Sequence, residues 1–213
     1  MADATISTQG KHVALFGFYK YGNYGDDLMA VIFGRELQAL QIPFQVYHLR
    51  DDVLDEFGFA GTNSIDELLA GASAVVYGGG GAFLTSQHRD FEGDLERLCD
   101  QCALTGIPIY MFSVGGDGKT FENIAATRRE LLKNASYVTF RNQEDAPLLD
   151  RIGRANGAIH HDVVWQTSKC FPQQRSDKTT VTIGIDNTLL GRKKGRWIVY
   201  CLMLICRALR KPY

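Results

Sequence analysis

The groups best placed to do chemistry cluster where apolar runs meet glycines. Residues 17–30, GFYKYGNYGDDLMA, bring Asn23, Gly25, Asp26 and Asp27 to the point where an apolar run ends and an amphipathic one begins. Glycines there let backbone approach a ligand closely, and free N–H groups at a helix start suit an anion. Asn23 offers donors and acceptors, while Asp26 and Asp27 favour a helix start through its dipole. The plainer reading makes Asp26 an N-cap and the glycines only a turn. The spacing is neither GxGxxG nor GxxxxGK[ST], so it specifies no dinucleotide or Walker site.

Two further apolar runs end in glycines. VVYGGGGAFLTS carries Gly78, Gly79, Gly80 and Gly81. SVGGDGK carries Gly115 and Gly116 and ends at Lys119, which reads as a solvated lysine or an anion neutraliser. In YVTFRNQED, Arg141 follows an apolar run. Its guanidinium fits a carboxylate or phosphate bidentately, or else forms a structural ion pair with Glu144 or Asp145. In HHDVVW, Asp162 interrupts an apolar run and needs a partner if buried. His160 and His161 would face opposite ways on a strand, which argues against joint metal binding. No site requires a metal or a bound cofactor.

These groups need elements to hold them. Apolar runs at 12–19, 44–49, 74–77, 109–114, 137–140 and 158–164 read as strands. Helical spacing covers 27–40, 91–104, 121–133 and 144–152, and Ser64 with Glu67 forms a capping box opening a short helix through Leu69. Gly106 closes the helix at 91–104. The alternation predicts an α/β domain over 11–166, a parallel sheet with helices on both faces. Its glycine-bearing turns at 22–26, 78–81 and 115–118 are expected on one sheet edge. Strand order is not readable.

Residues 167–178, TSKCFPQQRSDK, read as a linker, and 179–213 as the opening strand and helix of an incomplete second domain. The apolar run 197–206 is flanked by Arg192, Lys193, Lys194, Arg196, Arg207, Arg210 and Lys211. It is too short for a membrane span, which takes about 20 residues. Three readings stand: a core helix of the second domain, an interfacial helix docking peripherally on anionic lipid, or a stretch produced by frameshift or early termination. Its apolar face predicts homo-oligomerisation, membrane adsorption or aggregation.

The net charge of -1 predicts no global attraction to nucleic acid. The N-terminus lacks a secretory pattern, and the odd count of five cysteines fits no disulfide framework. A reduced, cytoplasmic setting follows as the expectation, with Cys99 and Cys102 as packing residues.

In order and spacing, the GNYGDD loop, the GGGG segment, the SVGG segment, the strand ending Phe140-Arg141-Asn142 and the Asp162 strand resemble the polysaccharide pyruvyl transferase family, over residues 12–165. The resemblance implies two Rossmann-like domains facing across a cleft, as in GT-B glycosyltransferases. It implies transfer of pyruvate from phosphoenolpyruvate to a sugar of an exopolysaccharide or cell-surface glycan, as a ketal. The acceptor, free or lipid-linked, would sit mainly on the N-terminal domain. Asn23, Gly25, Gly79, Gly80, Gly81 and Gly115 would bind substrate there, with Asp26 as acceptor-side base or hydroxyl-orienting group. Arg141 matches an arginine that helps hold the donor. The family's remaining donor clamps, an Arg and a His of the C-terminal domain, have no counterpart in this sequence, so weak or absent catalysis is expected of this chain alone. The alternatives are a nucleotide-sugar glycosyltransferase of GT-B type and a non-catalytic carbohydrate-binding half-enzyme.

Overall fold

A computed structural model describes residues 11–83, 89–116, 121–152, 156–167 and 171. The expected second domain at 179–213, with its basic-apolar tail, lies outside them, as do most of the expected linker, Gly118 and Lys119.

The chain builds a seven-stranded, all-parallel sheet in the order β3-β2-β1-β4-β5-β6-β7. Strands β1 (His12–Phe16), β2 (Phe44–Tyr47) and β3 (Gly61–Thr62) run outward in one direction. Then β4 (Ala72–Phe83) returns to pair with the other side of β1, and β5 (Ile109–Gly116), β6 (Ala135–Phe140) and β7 (Gly157–Ile159) extend from it. The order reverses between β1 and β4, and crevices that take ligands in open α/β sheets form at such a point, beyond the carboxyl ends of the strands.

Both sheet faces are covered, which is why the strands read as apolar runs rather than as alternating ones. On one face, Leu15 and Val46 pack with Ala30 and Val31 of α1 (Tyr24–Ala39) and Val53 of α2 (Asp51–Phe57). On the other, Ala14, Phe16, Val75 and Tyr77 meet Leu68 of α3 (Ile65–Leu69), Leu95 of α4 (Arg89–Thr105), Leu131 of α5 (Ala126–Asn134) and Leu148 of α6 (Ala146–Ile152). The Rossmann-like α/β fold expected from the sequence is the fold observed.

Local differences have local causes. β1 stops at Phe16 rather than 19, because Tyr19 folds back over Gly17, its ring occupying the place of a Cβ. The glycine segments are not turns after strands. Gly78, Gly79, Gly80 and Gly81 lie within β4, and Gly115 and Gly116 within β5. β7 ends at Ile159, so His160, His161 and Asp162 lie beyond it, and a 3-10 turn follows at Val163–Gln166. α2 and β3 had no sequence assignment.

The Ser64 cap forms, its Oγ accepting from Glu67 N–H at 3.4 Å. The reciprocal half is relayed. The Thr62 hydroxyl accepts from Ser64 N–H at 3.1 Å and donates to Glu67 Oε2 at 2.6 Å. Gly106 closes α4 at φ +72°, as its position implied.

Candidate functional site

The first wall of the crevice is the start of α1. Asn23, not Asp26, is the N-cap: its Oδ1 accepts from Gly25 N–H at 3.0 Å, and its carbonyl accepts from Asp26 and Asp27 N–H. Asp26 therefore sits in the first helical turn with its side chain free of capping duty. Asp27 points elsewhere. It is buried, 3.7 Å from Arg50, and lines a separate depression of about 270 Å³ between α1 and α2. The two neighbouring carboxylates thus serve different places.

Three glycines of β4 make room for Tyr19 and α1. A Cβ on Gly78 would fall 2.3 Å from Tyr19 Oη, on Gly79 2.0 Å from Met29 Sδ, and on Gly80 2.9 Å from Asp26 Oδ1. Gly79 and Gly80 have φ of +75° and +80°, which side chains rarely adopt. Tyr19, fully buried, donates from Oη to Gly78 O at 2.9 Å and ties the end of β1 to β4 across the reversal. This floor residue was missed in the sequence, where Tyr19 reads as the last position of a strand.

The second wall comes from β5, β6 and the segment after β7. Gly80 pairs with Val114, and Val114 with Phe140. Gly115 and Arg141 are each one step beyond that row. A Cβ on Gly115 would lie 2.7 Å from Arg141 Nε and 2.8 Å from Asn142 Nδ2, so glycine leaves the room the guanidinium fills. Arg141 Nη1 donates to Asp162 Oδ2 at 3.0 Å, both side chains about a quarter exposed. The partner is Asp162, not Glu144 or Asp145. Nε and Nη2 make no hydrogen bond to a described residue.

Asp162 is held on all sides. Its Oδ1 accepts from the Ser113 hydroxyl at 3.2 Å and from Val164 N–H at 3.1 Å. The Ser113 hydroxyl in turn accepts from Val163 N–H at 2.8 Å. Asp145, buried nearby, accepts from Gly116 N–H at 3.1 Å and Asn142 Nδ2 at 3.3 Å through one oxygen. Burial pushes its carboxyl up against the opposing pull of those bonds.

Asp26 carries the electrostatic signature. Burial raises its carboxyl to about 6, against the lowering effect of the Arg141 guanidinium. A group poised there exchanges protons near neutral pH, and perturbed carboxylates of this kind cluster at functional sites. The structure therefore brings Asp26, Gly80, Gly115 and Arg141 to one end of the sheet, adds Ser113 and Asp162, and gives Asn23 and Gly25 to the helix cap that holds Asp26. Gly79 meets Met29 instead, and Gly81 continues the strand.

The other sequence features are quiet. Cys99 and Cys102 are free thiols on the core side of α4, pushed up by burial to about 12 and about 11. They stay protonated, which suits packing and not nucleophilic or redox work. Among the described residues no group of three or more His, Cys, Asp or Glu is arranged to hold a metal, and no helix is long and apolar enough to cross a membrane.

Comparison of the chain with protein-family models, with curated proteins and with solved structures finds no match.

Proposed function

We propose that this domain serves a pyruvyl transferase acting from phosphoenolpyruvate onto a glycan, holding the acceptor sugar at α1 and one anionic group of the donor at Arg141. The reading joins the motif order in the sequence to one observation. A carboxyl poised at about 6 stands in the field of an arginine whose Nε–Nη2 edge has no hydrogen bond among the described residues. In the reaction, a proton from solvent adds to the vinyl methylene carbon of phosphoenolpyruvate and makes the adjacent carbon electrophilic. A sugar hydroxyl attacks that carbon and gives its proton to Asp26. A second hydroxyl of the same sugar then displaces inorganic phosphate, which leaves with that hydroxyl's proton, and closes the ketal. Arg141 offsets the donor's negative charge throughout. The acceptor is a sugar of an exopolysaccharide or cell-surface glycan, free or lipid-linked.

The test is phosphate release from phosphoenolpyruvate against a glycan panel, with Asp26→Asn alongside. Release that depends on one glycan, rises with pH through about 6 and is lost in Asp26→Asn supports the reading. Glycan-dependent turnover from a nucleotide sugar, with none from phosphoenolpyruvate, would replace it.

A further inference from the structure

Ser113 is a buried serine in the middle of a strand with φ of +57°, the left-handed region where side chains are uncommon. Backbone held there is destabilising and persists only where surrounding contacts fix it. The ladder between β5 and β6 shifts register between Met111 and Val114, so Ser113 N–H has no regular strand partner. The Thr139 hydroxyl accepts it at 2.8 Å instead. That leaves the Ser113 hydroxyl aimed past the sheet edge, where it engages Asp162 Oδ1 and Val163 N–H.

We infer that the Thr139–Ser113–Asp162 relay is a positioning device for Arg141, and that Asp162 fixes which edge of the guanidinium meets an anion. Asp162 takes Nη1 alone. Nε, beside Gly115, and Nη2 remain as a two-donor fork matched to a carboxylate or a phosphate. The inference rests on Arg141 being the anion contact of the proposed site. Neither Ser113 nor Asp162 touches the ligand in this account, so both act through Arg141.

The sign of one variant separates positioning from charge masking. Asp162→Asn removes a negative charge beside Arg141, so by Coulomb's law alone anions should bind more tightly. Positioning requires the reverse, because the guanidinium loses its fixed orientation. Ser113→Gly changes no charge, tolerates φ of +57° and deletes the hydroxymethyl group that carries the contact to Asp162. The experiment uses the full chain, labelled with ¹⁵N-arginine, with the Arg141 resonances assigned by their absence in Arg141→Lys. Phosphoenolpyruvate and inorganic phosphate are the titrants. In the unaltered protein the Arg141 side-chain signals should report slow guanidinium rotation. In both variants rotation should quicken, and the Kd for phosphoenolpyruvate should rise on the order of tenfold. A merely structural role would lower thermal stability and leave both readouts in place. Tighter anion binding in Asp162→Asn, or unchanged Arg141 signals in Ser113→Gly, overturns the inference. If Asp162→Asn fails to fold, Ser113→Gly decides alone. Should the unaltered protein bind neither anion, the donor contact proposed above is wrong, while the rotation of Arg141 still decides the relay.

Discussion

Two of the arginine–carboxylate pairs among the described residues are built to opposite ends. Arg128 of α5 is 1% exposed, and its Nε and Nη2 meet Glu92 Oε1 of α4 at 2.8 and 2.5 Å. The Phe18 ring lies 6.0 Å from its guanidinium carbon, and that ring stacks on Phe91. Arg141 and Asp162 sit at the sheet edge, a quarter exposed, and share one bond. The first pair is sealed in apolar surroundings, where breaking it strands a buried charge. The second keeps donors in reserve. Same chemistry, different solvent access: one pair belongs to the architecture, the other is placed to meet something.

Cutting each pair in turn separates their roles. Arg128→Met should destabilise the fold by about 3–5 kcal/mol, read from the denaturant midpoint, because Glu92 loses its buried partner. The double variant Arg128→Met, Glu92→Gln should recover part of that loss. Arg141→Ala should change stability by less than about 1 kcal/mol, because the pair shares one bond and keeps about a quarter of each side chain in solvent. It should weaken phosphoenolpyruvate binding in titration calorimetry by about 1.5–3 kcal/mol, with Arg141→Lys intermediate. If Arg141→Ala unfolds the protein, or Arg128→Met does not perturb it, the contrast is misdrawn.

The smallest expected effect concerns pH. The Asp26 carboxyl lies above its unfolded value, so the folded state binds its proton more tightly. Its contribution to stability is fully present below about 3.8 and is lost as pH rises through about 6. Asp26→Asn should therefore gain stability at pH 8, on the order of 1 kcal/mol given the group's partial exposure, and gain nothing at pH 4. Thermal melts at the two pH values check this. A gain of equal size at both would point to the helix cap instead of the carboxyl.

Strands and major helices were legible because their signals are local. The run that opens at His12, the Ser64 cap and Gly106 each act within a few residues. Even α2 left a trace that went unused: Asp51 and Asp52 stand in its first turn, and Gly58 closes it at φ +64°. The site was legible in its parts but not its pairings. Arg141 was singled out, yet its partner lies 21 positions away, beyond a strand whose end depends on pairing with β6. Strand order was silent for the same reason, since neighbours in a sheet are chosen by contacts between distant segments. Ser113 gave no signal at all, because a serine in an apolar run does not announce a positive φ.

The packing of α1 against β4 has a bearing on how substitution data from this domain should be interpreted. Gly78 and Gly79 are filled by Tyr19 and Met29, and Gly80 by Asp26, so the helix start is seated in the strand like a dovetail. In a saturation scan all three positions would reject side chains, Gly79 and Gly80 for their positive φ as well as for lack of room. Only at Gly80 does the displaced neighbour carry the poised carboxyl. The other two would mimic a binding site through tolerance alone, and Met29→Ala, which empties the socket beside Gly79, would relieve the clash there but not the strain of a side chain at φ +75°.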